Sequence, residues 1–180
     1  PAQLPMDVWE RTMQVNLTGT YLANRAFGTR MAAAGGGSIV SIASIAAIAS
    51  MPVHAYGTSK AALLHLTRQL AGELAPRVRV NSVSPGLVRT EMARFVWEKG
   101  PVDLPLGRIG EPEDIARAVV WLASDAAEWI TGADLLVEAA AVESPMARMP
   151  VGATFGSLVH AVLEHADLQA DDLHAELVQR

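Results

Sequence analysis

The stretch His54–Leu66, HAYGTSKAALLHL, decides how the chain is read. Downstream of it apolar residues keep helical spacing through Leu63, Leu66, Leu70 and Leu74, which predicts a helix over 58–75 with one buried stripe. Tyr56 and Lys60 stand four residues apart at its start, so a hydroxyl and an ammonium share one helix face and can converge on one point. An unperturbed phenol ionises near pH ~10, and a neighbouring cation favours the phenolate. Bringing a phenol into the neutral range takes roughly 4 kcal/mol of differential stabilisation, within reach of cations held close in a low-dielectric cleft. Such a phenol is a usable acid or base. The same pair also occurs by chance on helix surfaces, so the rest of the chain has to decide.

Upstream, apolar residues recur every three or four positions from Met6 to about Ala34, predicting one long helix with Asp7 as its N-cap. Gly35–Gly37 ends it, and the β-branched run 38–44 reads as a buried strand. The segment 77–86 reads as a second strand closing on a Pro-Gly turn, with an irregular stretch from there to Gly110. Residues 111–125 carry a proline and acidic residues in their first turn and predict another helix, and 133–140 a last strand. Helices alternating with strands imply an α/β fold, a partial doubly wound parallel sheet of three strands with flanking helices on both faces. Beyond Val142 the pattern changes to a linker and a helical C-terminal tail, giving units 1–142 and 143–180.

Composition narrows the function. Half of the 180 residues are hydrophobic (51%) and 18% are charged, as a buried core requires. The net charge of −5, with no basic run, offers no footprint for nucleic acid or an anionic membrane, so neither is expected as a partner. The run 39–53 is too short and too interrupted by serines and Pro52 to span a bilayer. With no cysteine, thiolate chemistry is excluded and a reducing cytoplasm suits the chain, which is expected to be cytoplasmic.

Three further features bear on the Tyr-Lys pair. Ser44 ends the first predicted strand, where its hydroxyl can donate to a substrate oxygen. Asn16 lies mid-helix, where a carboxamide is a poor helix former and a functional role would account for it. Residues 84–90, SPGLVRT, follow the second strand, and open α/β sheets bind ligands beyond the carboxyl ends of their strands.

Asn16, Ser44, Tyr56 with Lys60, Pro85-Gly86 through Thr90, and GRIGEPEDIARAVVWLASDAAEWITG (107–132) together resemble the C-terminal part of a classical short-chain dehydrogenase/reductase, over about residues 6–138. The resemblance implies a Rossmann-like fold and hydride exchange between NAD or NADP and a secondary alcohol or ketone. It implies Tyr56 as the general acid/base. Lys60 would favour the phenolate and hold the nicotinamide ribose, Ser44 would polarise the carbonyl, and Asn16 would hold a water on the proton path. Pro85, Gly86, Val88 and Thr90 would line the nicotinamide and pyrophosphate region. No metal is implied. A homo-oligomer through helices 7–34 and 58–75 is also implied.

The sequence departs from the family in three places. The glycine-rich turn, the charge-selecting residue and the Asn-Ala-Gly segment of the family's first half do not occur in it; Gly35–Gly37 follows a helix and precedes a strand, the reverse of a phosphate-cradling loop. The expectation is a partial domain lacking its N-terminal dinucleotide-binding half, showing no nicotinamide-dependent activity by itself. The alternative is a non-catalytic remnant that associates through its helices. At 137–142, VEAAAV replaces the family's Asp-Gly-Gly, which predicts an altered loop. Residues 151–177 resemble a fragment of the first nuclease motif of RecB-type helicase-nucleases, with His160 at the metal-binding position. The acidic and lysine residues of the later motifs do not occur, and His160 with His165 does not make an HExxH pair, so no hydrolytic site is expected.

Overall fold

The structure is a computed structural model and describes residues 4–138. The long N-terminal helix runs as α1 (Met6–Met13), a π-helical turn (Gln14–Thr18) and α2 (Gly19–Ala33) without a break. Pro5, rather than Asp7, occupies the N-cap, and Asp7 lies in the first turn, where its charge faces the positive end of the helix dipole. The glycines end the helix as expected. Gly36 donates its N–H back to the Met31 carbonyl (2.9 Å) at φ 137°, and a Cβ there would meet the Arg77 carbonyl oxygen at 2.7 Å.

Three strands follow in parallel, in the order β1 (Gly37–Ile42), β2 (Val78–Pro85) and β3 (Asp134–Val137). The register sets Gly37 beside Val78 and Ser82 beside Asp134. Each strand is shorter than its sequence pattern. β1 stops at Ile42 because Ser44, two residues on, caps a short 3₁₀ turn with its Oγ, accepting from the Ala46 N–H (3.2 Å). The helix α3 (His54–Leu74) starts four residues ahead of the expected 58, so His54 and Tyr56 belong to its first turn. The irregular stretch contains a 3₁₀ turn (Glu91–Ala93) and the short helix α4 (Arg94–Trp97) before α5 (Pro112–Ala123).

Both faces of the sheet are covered. On one side Ile39, Val78 and Val80 pack with Leu70 and Ala71 of α3 and with Met31 of α2. On the other, Val83 meets Leu122 of α5 together with Ala127, Val40, Leu135 and Val137. β2 is therefore buried on both faces, as the central strand of a parallel sheet must be. Its polar side chains are all paired. Asn81 donates to Ile130 O (2.9 Å) and accepts from Ala133 N (3.0 Å), while Ser82 and Ser84 donate to Asp134 at 2.6 and 2.8 Å. These bonds fix the strand after the 125–133 turn in register with β2, and so place Val137 and Glu138 beside Pro85 and Gly86. The helical tail expected at 143–180, His160 included, lies outside the described residues.

Candidate active site

The carboxyl ends of β1 and β2 open onto two adjoining clefts. The first, about 470 Å³, has Ser44 and Tyr56 in its wall and is otherwise mostly hydrocarbon, from Ile45, Met51, Leu87, Phe95 and Leu104. The second, about 370 Å³, shares Ser44, Tyr56, Gly86 and Leu87 with the first and continues along Pro85, Val88 and Thr90 to Pro112 and Ile115. Both volumes suit small molecules. Ser44 and Tyr56 stand where the two clefts meet.

Of the side chains read from the sequence, Ser44, Tyr56, Pro85, Gly86, Val88 and Thr90 border the clefts, while Lys60 and Asn16 border neither. Lys60 Nζ donates to the Ile42 carbonyl at the end of β1 (2.8 Å) and lies 5.6 Å from the centroid of the Tyr56 ring, rather than both polar ends meeting at one point. An ammonium has three donors, and this bond uses one. Partial burial pushes the Lys60 pKa below its ordinary value. Ser44 Oγ accepts from Ala46 N–H, which leaves its own proton to donate into the cleft.

Asn16 sits within the π turn. The wider turn returns the Gly19 N–H to Gln14 O, five residues back, and the Thr20 hydroxyl takes up the Asn16 carbonyl (2.8 Å). The Asn16 side chain reaches α3, where its Nδ2 donates to Ser59 Oγ (3.0 Å), and Ser59 in turn donates to the Tyr56 carbonyl (2.7 Å). Ser59 is fully buried and was not singled out by sequence pattern. Its place on the inner face of α3, with Leu63 and Leu70, was the available signal. His54, which the sequence allowed as a lining residue, is exposed and borders neither cleft.

Glu138 was also missed. It follows β3 in the left-handed region at φ 54° and is, among the described residues, the only charged one that lines the first cleft. Gly86 is required beside it: a Cβ at Gly86 would overlap the Glu138 carbonyl oxygen and approach Glu138 Oε2 to 2.9 Å. Further out, Asp114 accepts from Glu111 N–H (2.8 Å) and from Arg108 (2.7 and 3.0 Å), closing the capping box of α5. Its hydrogen bonds to Arg108, then to the Glu111 backbone, hold its carboxyl well below the usual carboxylate range.

A parallel sheet with Ser44 just beyond β1 and Tyr56 on α3 where two clefts meet, and Lys60 behind the Tyr56 ring, is the arrangement of a nucleotide-dependent oxidoreductase fold. The chain belongs to the short-chain dehydrogenase/reductase family: the family model that matches it, over residues 2–139, is described as enoyl-(acyl carrier protein) reductase. It is 41% identical over 143 residues to an NAD-dependent glycerol dehydrogenase of Listeria innocua, covering 75% of this chain and 56% of that one. The structure of a short-chain dehydrogenase/reductase from Mycobacterium ulcerans superposes with a TM-score of 0.72 at 38% identity, over 75% of this chain and 52% of that one. A 7α-hydroxysteroid dehydrogenase complexed with NADH and 7-oxo glycochenodeoxycholic acid superposes with a TM-score of 0.70 at 33% identity, over 76% and 56%. The chain spans about half the length of these relatives.

Proposed function

We propose that this site belongs to an oxidoreductase that exchanges a hydride between NAD or NADP and a small secondary alcohol or ketone. The observation that carries the reading is the meeting of the two clefts at Tyr56 and Ser44, one cleft apolar and one bordered by Pro85, Gly86, Val88 and Thr90. The second cleft suits the nicotinamide end of the cofactor: it lies beyond the strand ends and is lined mostly by small and apolar residues, Pro85, Gly86 and Val88 among them. When bound, the cofactor supplies the hydride. Pro85, Gly86, Val88 and Thr90 would hold the ring in this cleft, while Tyr56 and the remaining donors of Lys60 would hold its ribose.

The chain's own residues handle the proton. Ser44 donates to the substrate oxygen and fixes it beside the Tyr56 hydroxyl, which gives up or takes the proton as the carbinol carbon changes oxidation state. The Lys60 ammonium beside the Tyr56 ring stabilises negative charge as it develops there. Asn16, carried to α3 by the π turn, holds the water through which Lys60 exchanges protons with solvent. The apolar wall keeps other water from the reacting atoms.

The same reading assigns 1–142 to a partial dehydrogenase domain and 143–180 to a linker and an unrelated tail resembling a RecB-type nuclease fragment, and it takes the protein to be cytoplasmic. No helix among the described residues is long and apolar enough to cross a membrane. Val8, Val15, Leu22 and Phe27 leave an apolar surface along the long N-terminal helix, which supports a homo-oligomer both for the enzyme and for the alternative, a non-catalytic associating module. Tyr56→Phe separates the two. Nicotinamide-dependent oxidation of secondary alcohols that is lost in the variant, with association unchanged, supports the enzyme; activity that survives the change refutes the acid/base role. The isolated chain is expected to be silent under both readings, so the comparison is made with the dinucleotide-binding half of a relative joined ahead of residue 1.

A further inference from the structure

Among the described residues, Glu138 is the only charged one that lines the first cleft, and both its carboxylate oxygens are buried without a hydrogen-bond partner. Its Oε2 lies against Gly86, and the rest of the cleft wall is mostly hydrocarbon, such as Leu87 and Leu104. Arg108 borders a small neighbouring cavity of about 200 Å³ together with Glu138 and its charge acts on that carboxylate, but its side-chain hydrogen bonds go to Asp114 and the Ile109 carbonyl, none to Glu138. A carboxylate removed from water and left unpaired is costly, and a donor brought in by a ligand offsets that cost. The backbone at Glu138 is also held in a conformation that a side-chain-bearing residue rarely adopts, so the carboxylate is positioned at some expense.

We propose that Glu138 determines specificity: it selects secondary alcohols whose far end carries a hydrogen-bond donor, an ammonium above a hydroxyl, and rejects those ending in an anion. The inference rests on the hydride-transfer reading of the same cleft, since it takes the reacting carbinol to lie at Ser44 and Tyr56. The donor then points along the apolar wall to Glu138, whose buried carboxylate turns toward the cleft to meet it. An ammonium gains a charge-assisted bond in a water-poor setting, a hydroxyl gains a weaker one, a methyl gains none, and a carboxylate meets a like charge.

The test is binding to the purified chain, followed through the labelled methyl groups of Met51 and Met92, which line this cleft. The probes are 4-aminobutan-2-ol, butane-1,3-diol, pentan-2-ol and 3-hydroxybutanoate. The expected order of affinity is the order just given, with the amino alcohol about tenfold tighter than pentan-2-ol, the gain typical of a hydrogen bond to a charged group. Glu138→Gln, which keeps the shape and removes the charge, is expected to abolish most of the ammonium's advantage and to relieve the exclusion of 3-hydroxybutanoate. Equal affinities, an order unchanged by Glu138→Gln, or no saturable shift with any probe would overturn the proposal. Turnover of the same alcohols is scored separately. The order supports this proposal whatever the turnover, and hydride transfer without the order removes only this proposal.

Discussion

The link between the π turn and α3 yields a double-mutant cycle whose terms follow from the geometry. Ser59→Ala removes the acceptor of Asn16 Nδ2 (3.0 Å) and the hydroxyl bond to the Tyr56 carbonyl (2.7 Å). The second loss is small, because that carbonyl keeps the backbone bond of its own helix. The first is worth about 1 kcal/mol, the net value of a typical hydrogen bond, and no more, since Asn16 is half-buried and its amide can turn to water. Asn16→Ala loses the same bond but replaces a poor helix former with the best one, a gain of about 0.5 kcal/mol, so it should be nearly neutral. The buried Ser59 hydroxyl keeps the Tyr56 carbonyl as its acceptor and is not orphaned. With Asn16 already replaced, Ser59→Ala should therefore cost little, giving a coupling of about 1 kcal/mol. Urea unfolding of the four proteins measures it. Single changes that add to within about 0.3 kcal/mol would show that the bond contributes nothing, and that the π turn is held by other contacts.

Two further outcomes are expected. Gly86→Ala forces a Cβ against the Glu138 carbonyl, which cannot swing aside as a flexible side chain would. The end of the β2–β3 ladder, including Gly86 N–H to Val137 O (2.9 Å), must shift, at a cost of about 1–3 kcal/mol read from the urea midpoint; an unchanged midpoint refutes the close approach. Asp114 has a folded-state pKa lowered by Arg108 and the Glu111 backbone, so its contribution is present above the unfolded value of about 3.9 and is lost as pH falls through the lower folded value. Asp114→Asn should lower the urea midpoint at neutral pH and converge on the wild type as both are acidified below about pH 4; a difference that stays constant with pH excludes the charge as its source.

The local pattern of residues was sufficient for the parallel α/β order of elements and for placing the candidate Tyr-Lys pair; the proposed roles came from the family resemblance. Helical periodicity identifies α3 and puts Tyr56 and Lys60 on one face, and β-branched runs mark the strands, because these signals depend only on neighbours a few positions away. Strand ends were less legible, since β1 yields at Ile42 to a cap made by Ser44 and β3 is set by pairing to β2. The π turn at Asn16 left only the trace of an amide in mid-helix; its geometry depends on Ser59, 43 residues away in sequence. Nor could the sequence show that Lys60 would spend a donor on the Ile42 carbonyl, or that Glu138 would enter the cleft wall. Those placements come from three strands meeting side by side, and a contact between segments far apart in the chain leaves no periodicity in either of them.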